Sequence, residues 1–280
     1  MGSPGTLYVL ATPLGNLGDL SERAIRTLRE VPVVAAEDTR HSRRLLSAID
    51  AHPAELLSYH AHSGAGREDQ LVQVLMDGRD VALITDAGTP GVSDPGVLLV
   101  AAARDAGITV VPIPGPSAVT TALQASGLAA DRYLFLGFLD RKGAERRRQL
   151  ADVAASPWTV VLYEAPLRLV ALLTDLEAVA GSERRVVVAR ELTKMYEEFC
   201  AGSLADVRAH FEETPARGEI TVVFEGRGSR VEDAGPDPEV IDRAIADALA
   251  AGESRREVAR RVSAEFGVPR NDAYRRVMDA

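Results

Sequence analysis

The stretch Val81-Ala82-Leu83-Ile84-Thr85-Asp86-Ala87-Gly88-Thr89-Pro90-Gly91-Val92-Ser93-Asp94-Pro95-Gly96 decides the fold. Four apolar residues and Thr85 predict a short strand, Val81–Thr85, which Asp86 and a glycine- and proline-rich turn bring to an end. A helix from about Asp94 to Asp105 and a strand at Thr109–Pro112 follow. Upstream the same rhythm holds. Thr6–Ala11 reads as a strand, and Asp19 with Glu22 three residues later resembles a capping box. The helix it opens carries a stripe that includes Leu20, Ala24 and Leu28. Val33–Ala36 is a second strand, and a helix covers Thr39–Ile49. Strands that alternate with helices predict a mainly parallel sheet with helices on both faces.

Downstream, Pro112-Ile113-Pro114-Gly115-Pro116-Ser117 forms a stiff connection suited to a domain hinge. A second α/β unit follows it. Its predicted strands are Tyr133–Gly137, Thr159–Tyr163, Arg185–Arg190 and Glu219–Phe224, and its helices lie near Gly143–Ala155, Pro166–Val179 and Ser203–Glu212. Gly226–Pro238 is polar and rich in proline and glycine, as linkers are. Three helical patterns close the chain: Glu239–Ala251, Ser254–Phe266 and Arg270–Met278. The expected fold class is therefore α/β. Two α/β domains, residues 5–113 and 114–226, flank a ligand cleft, and a short helical extension occupies residues 239–280. No internal repeat is visible.

The 280 residues, 46% of them hydrophobic, suffice for two domains and a small appendage. Aromatic residues make up only 5%, so the core rests on Val, Leu, Ile and Ala. No apolar run reaches the roughly 18 residues of a membrane helix. The start, MGSPGTLYVLATPLGN, has no basic segment and no long apolar run, so no signal peptide is expected. Cys200 is the one cysteine, which excludes an intrachain disulfide and fits a cytoplasmic location.

The net charge of −9 runs against a nucleic-acid partner. Phosphate contacts, however, need only a local basic face. Arg141–Arg148 is one such segment. Another is Arg255–Arg276, which holds Arg255, Arg256, Arg260, Arg261, Arg270, Arg275 and Arg276. Among 32 cations only Lys142 and Lys194 are lysines. Arg and Lys are interchangeable on a solvated surface but not in chemistry, so a retained lysine is a candidate for a role that needs a primary amine.

In parallel α/β sheets ligands bind beyond the carboxyl ends of strands. Three Gly/Pro-rich segments stand at such ends: Thr12–Asn16, Thr85–Gly96 and Pro114–Ala118. Glycine lets a ligand approach the backbone closely, proline fixes loop shape in advance, and Ser117 is placed to open a helix whose free N–H groups face a ligand. The GxGxxG, GxxxxGK[ST] and GxSxG patterns are absent. His60 and His62 lack further ligands, so no metal site is expected. The residues describe a two-domain α/β enzyme that binds a small polar ligand between its halves.

The segments TPLGNLGDLSERA (Thr12–Ala24), AEDTRHSRRLL (Ala36–Leu46), SYHAH (Ser58–His62), TDAGTPGVSDPG (Thr85–Gly96), PIPGPSA (Pro112–Ala118), FLGFLDRKG (Phe135–Gly143), YEAPLRL (Tyr163–Leu169) and RELTKMYEE (Arg190–Glu198) carry a resemblance. In this order they resemble the tetrapyrrole methylase superfamily, and within it most closely the branch that methylates small-subunit ribosomal RNA. The resemblance covers about residues 6 to 226, and more loosely Ser254–Met278. One departure is Asp140, where the family often has proline. The resemblance implies S-adenosylmethionine held in the cleft, 2′-O-methylation of a cytidine near the decoding site of 16S rRNA, on free RNA or the 30S subunit, and a homodimer.

The expected cofactor-binding residues are Asp86, Gly88, Thr89, Ser117 and Ala118, acting largely through their backbone, with Tyr163 nearby. For chemistry the candidate base is Lys194, its pKa lowered by burial, with Asp38 and Glu197 to orient it or the ribose. Two other readings stay open: C-methylation of a tetrapyrrole, which needs a large apolar cleft and no basic tail, and a non-catalytic RNA-binding protein, which needs no intact ligand loops.

Overall fold

A computed structural model describes residues 3–60, 63, 66–228 and 238–280. His62 and most of the linker Gly226–Pro238 lie outside the described residues. Two five-stranded sheets organise the chain. The first contains β1 (Thr6–Leu10), β2 (Val33–Ala36), β3 (Glu55–Ser58), β4 (Val81–Ile84) and β5 (Thr109–Ile113). Its order is β3-β2-β4-β1-β5, with every pairing parallel. Between the strands run α1 (Glu22–Glu30), α2 (Thr39–Ala48), α3 (Gly66–Met76) and α4 (Val97–Asp105). Successive strand residues point to opposite faces, so the strands feed two cores. Leu10, Val34 and Ile84 pack with Leu28 and Leu46 on one face. Leu7, Val33 and Leu83 pack with Leu71, Leu75 and Leu99 on the other.

The second sheet contains β6 (Tyr133–Phe138), β7 (Thr159–Glu164), β8 (Arg185–Arg190), β9 (Glu198–Ser203) and β10 (Ile220–Phe224), in the order β6-β7-β10-β8-β9. Only β6 and β7 run parallel, and the other pairs are antiparallel. One face is covered by α6 (Gly143–Ala155), α7 (Leu169–Ala180) and α8 (Leu204–Glu213), whose Val153, Leu172 and Phe211 meet Leu162, Val188 and Phe224. The other face receives α5 (Ala118–Ser126), where Val119 and Leu123 pack on Val161, Val187 and Val223. Leu14, from the loop after β1, enters this same core and joins the two halves. The helices α9 (Pro238–Ala250), α10 (Arg255–Phe266) and α11 (Arg270–Asp279) bury a separate core of Ile241, Ile245, Val258, Val262 and Val277.

Local pattern does not announce β3, α3 or β9. β3 has four half-buried residues. β9 is an edge strand whose Cys-Ala-Gly-Ser end lacks the usual β-branched residues. The helix expected from Asp94 starts at Val97, because Pro95 and Gly96, the latter at φ +144°, hold the preceding turn open. The capping box at Asp19 is corrected. Asp19 ends a short 3₁₀ turn, and Ser21 caps α1 by accepting from the Ala24 N–H at 3.2 Å. Ser21→Ala should therefore cost about 1 kcal/mol of stability in urea denaturation, whereas Asp19→Ala should cost little. Equal losses in the two variants would contradict this assignment.

Candidate active site

β4, β1 and β5 are neighbours, so the three Gly/Pro-rich loops emerge side by side at the carboxyl edge of the first sheet. Backbone bonds fasten them. The Thr12 N–H donates to the Gly88 carbonyl at 2.9 Å, and the Gly88 N–H donates to the Thr12 carbonyl at 3.1 Å. The Thr89 hydroxyl donates to the Pro116 carbonyl at 3.1 Å. Gly115 passes so close to Ala11 that an added Cβ would lie 3.0 Å from the Ala11 Cβ. Between these loops and the second sheet lies a cavity of about 310 Å³.

Of the expected cofactor-binding residues, Gly88, Thr89, Ser117, Ala118 and Tyr163 line this cavity. Asp86 stands behind the wall, where its Oδ1 accepts from the Asp38 N–H at 3.1 Å and its own N–H donates to Glu37 Oε2 at 3.3 Å. Gly88, at φ +85°, has its N–H committed to the Thr12 carbonyl, while its own carbonyl accepts from the Thr12 N–H and keeps a second lone pair. It also shapes the loop. Ser117 makes no side-chain cap bond, so the first N–H groups of α5 remain open donors beside the cavity. The Tyr163 ring meets Phe135 and Phe138 edge-on, with centroids 4.9 and 5.7 Å away. Burial, with Asp94 and Glu219 nearby, pushes its phenol up to about 12, so it stays neutral.

Lys194 and Glu197 share the loop after β8, where the Glu197 N–H donates to the Lys194 carbonyl at 3.2 Å, while Asp38 stands at the start of α2. Lys194 Nζ donates to Glu219 Oε2 at 2.9 Å and to Glu191 Oε1 at 3.0 Å. Burial works against its charge, but these two carboxylates outweigh burial and raise its pKa. A cation held in this way is not poised to accept a proton, which corrects the expectation of a lowered pKa. The Lys194 stem lies over Gly15, where an added Cβ would fall 2.2 Å from its Cγ. Lys194 thus ties the loop after β8 to the loop after β1. Asp38 caps α2, accepts from the Arg40 N–H at 2.8 Å and pairs with the Arg40 guanidinium at 2.8 Å. These hydrogen bonds hold its carboxyl well below the usual range. Glu197 braces its own loop by accepting from the Thr193 N–H at 2.6 Å.

Three carboxylates on the cavity wall escaped the sequence-based expectation: Asp94, Glu164 and Glu219. The first two sit in the quoted segments TDAGTPGVSDPG and YEAPLRL, but a carboxylate near proline reads as turn chemistry. Glu164 is buried. Its Oε1 accepts from the Ala165 N–H at 2.8 Å and faces Arg168 Nε at 3.2 Å, while Oε2 has no partner among the described residues. Asp94 is pushed up to about 6, mainly by burial and then by Glu37, with Asp86 and Glu219 adding and the Thr85 hydroxyl opposing. Among the described residues no group of three or more metal-ligating side chains occurs.

Comparison with known proteins agrees with this architecture. A family model described as Tetrapyrrole (Corrin/Porphyrin) Methylases matches residues 6–208. A Synechocystis protein named Ribosomal RNA small subunit methyltransferase I is 43% identical over 96% of each chain. One of the same name from Xylella fastidiosa is 47% identical over 81% of this chain and 83% of its own. The solved structure of uroporphyrin-III C-methyl transferase from Thermus thermophilus, in complex with S-adenyl homocysteine, superposes with a TM-score of 0.57 at 21% identity. That match covers 81% of this chain and 99% of the other.

The Asp94 environment has a consequence for stability. The folded state holds the Asp94 proton up to about 6, whereas an unfolded Asp releases it near about 4. Between these values the folded chain binds more protons than the unfolded one, so this residue lowers stability as pH rises through the window. Asp94→Asn should therefore melt at a higher temperature than the parent at pH 8, and the gain should vanish near pH 4. Identical melting of the two proteins at pH 8 would contradict the strained carboxylate.

Proposed function

Because the chain belongs to the tetrapyrrole (corrin/porphyrin) methylase family, we propose that it transfers the methyl group of S-adenosylmethionine to small-subunit ribosomal RNA, at the 2′-hydroxyl of a cytidine near the decoding site of 16S rRNA. The observation that carries this reading is the extent of the similarity. The family model ends at residue 208, whereas the Synechocystis rRNA methyltransferase matches 96% of the chain, helical tail included.

The cavity suits the cofactor. Its volume of about 310 Å³ falls in the range of small-molecule sites, about 300–1,000 Å³. Leu14, Phe138 and Tyr163 offer apolar surface for an adenine, the open N–H groups of α5 suit a carboxylate, and Asp94, Glu164 and Glu219 suit a sulfonium and an ammonium. When bound, S-adenosylmethionine supplies an electrophilic methyl group. The chain's own residues orient it, exclude water and place the nucleophile in line, and such positioning is worth about 7–11 kcal/mol in favourable cases.

RNA is expected to meet the basic segments. In the tail, Arg255 donates to the Met278 carbonyl, and Arg261, Arg275 and Arg276 pair with Glu253, Asp272 and Asp242. Arg255 and Arg276 thus link different helices of the bundle, whereas Arg261 and Arg275 are held by local partners. Arg256, Arg260 and Arg270 are exposed and make no salt bridge among the described residues, so they are the tail's candidates for phosphate contact. Between Arg141 and Arg148, Arg146 is buried against Asp175 and Arg148 pairs with Glu145, which leaves Arg141, Lys142 and Arg147 for RNA. Exposed apolar residues near the cleft, Leu98, Phe138 and Leu167, support a homodimer that covers them. A ribosomal substrate supports a cytoplasmic location. No helix among the described residues is long and apolar enough to cross a membrane.

Incubation with labelled S-adenosylmethionine and either 30S subunits, free 16S rRNA or a porphyrinoid separates the readings. One ribose-methylated cytidine, located by mass spectrometry, is expected. Label on the porphyrinoid alone would support C-methylation, and failure to bind the cofactor would support a non-catalytic RNA-binding protein. The triple variant Arg256→Gln, Arg260→Gln, Arg270→Gln should keep cofactor affinity and show a shallower salt dependence of RNA binding, by roughly 0.7–0.9 in log–log slope per lost contact. An unaltered slope would remove the tail from the RNA interface.

A further inference from the structure

We propose that Asp94 is the general base of the methyl transfer, the carboxylate that takes the proton of the attacking ribose hydroxyl. The inference rests on the ribose-methylation reading above. Elimination among the acidic groups of the cleft carries it. Of the three carboxylates on the cavity wall, Glu219 is paired with Lys194, and Glu164 holds the Ala165 N–H and faces Arg168. Behind the wall, Glu37 accepts from the Asp86 N–H, Asp86 accepts from the Asp38 N–H, and Asp38 is committed to Arg40. Asp94 lines the cavity with no cation paired to it among the described residues. Arg168 and Lys194 hold the charges of the other two, so Asp94 is the carboxylate left to take a proton.

Its loop is held firmly enough for that role. Ser93, just before it, has φ +61° and packs against Gly137 on β6, where an added Cβ would lie 2.7 Å from the Ser93 Oγ. On the other side, the Gly91 N–H donates to the Pro95 carbonyl at 3.2 Å. The glycine at 137 and the bulge between Phe135 and Gly137 let the second sheet close on the Asp94 turn. An independent feature of the same cavity also points to a ligand with hydrogen-bond donors. Glu164 Oε2 is buried on the wall without a partner among the described residues, which is costly unless a ligand satisfies it.

A base works best when its pKa lies near the operating pH. The groups that face Asp94 come from four elements: Glu37 after β2, Asp86 after β4, Tyr163 on β7, and Glu219 before β10 with Lys194 upon it. Asp38 and His60 act on Glu37 in turn. Burial and the carboxylates bring Asp94 up to about 6, within reach of neutrality. In the step itself the hydroxyl proton passes to the Asp94 carboxylate and the oxygen bonds the methyl carbon. The carbon–sulfur bond breaks with its electron pair kept by sulfur. A sulfonium and a carboxylate are thereby replaced by a neutral thioether and a neutral acid, and charge balances.

The same geometry couples cofactor charge to Asp94 ionisation, because a nearby cation favours the carboxylate. S-adenosylmethionine should bind more weakly below about pH 6, where Asp94 is neutral, whereas S-adenosylhomocysteine, which lacks the sulfonium charge, should show a smaller dependence. The test is calorimetric titration of both compounds across pH 5–8 for the wild type and Asp94→Asn, with single-turnover methylation of 30S subunits. The expected variant unfolds as cooperatively as the wild type on heating, which shows it is folded. It loses about 100-fold or more in rate, and its affinity ratio for the two compounds no longer varies with pH. A rate within about threefold of wild type, or a pH-independent ratio in the wild type, would overturn the assignment. Mass spectrometry of the wild-type product separates the two claims. A methyl group on a base atom overturns the ribose reading, and the base assignment with it, whereas a ribose methyl together with an active Asp94→Asn variant overturns the base assignment alone.

Discussion

The reciprocal backbone bonds between Thr12 and Gly88 are the constraint on which the site depends. They exist because β1 and β4 are parallel neighbours, so the loops that leave their carboxyl ends start a strand's width apart. Gly88 meets Thr12 at φ +85°, a conformation that L side chains rarely adopt. Once the two loops are fastened, Leu14 is carried into the core of the second sheet, and the relative position of the halves follows. Gly15 then lies under the Lys194 stem, and Gly137 lies against Ser93, where an added Cβ would fall 2.7 Å from Oγ. Residues without side chains thus mark the seam where the two halves touch.

Burying carboxylates along that seam is unfavourable without compensation. The fold compensates most of them with local partners: Arg40 for Asp38, Arg168 for Glu164, Lys194 for Glu191 and Glu219. Asp94 is left in a negative surrounding, and its raised pKa records the strain. A cationic cofactor relieves that strain and gains affinity from it. Destabilisation of the ligand-free protein and attraction for the sulfonium therefore have one origin, and residues that destabilise a fold in this way concentrate at functional sites.

Much of this was legible in the sequence. Glycine and proline act locally, so the three loops, the Pro112–Ser117 connection and the helix start at Ser117 can be read from neighbouring residues alone. The strands themselves are legible from their short apolar runs, and the Pro112–Ser117 connection suggests where one group of strands ends and the next begins. The environment of a carboxylate is not local. Asp94 is tuned by Glu37, Asp86 and Glu219, and Lys194 by Glu219, which stands 25 residues away. Scarcity among the cations drew attention to Lys194, but its tie between loops depends on Gly15 and on Glu219, which only folding brings near. The antiparallel character of most of the second sheet is similarly non-local, because strand direction depends on how the chain returns and not on strand composition.

The central claim is that the cavity between the two sheets holds the cofactor, with its shape fixed by the loop at Gly88. Calorimetric titration of S-adenosylmethionine into the wild type and Gly88→Leu tests it most directly, with cooperative thermal unfolding as the control for an intact fold. The expected result is a bound cofactor in the wild type and no measurable binding in a variant that still unfolds cooperatively. Unchanged affinity in Gly88→Leu would contradict the account.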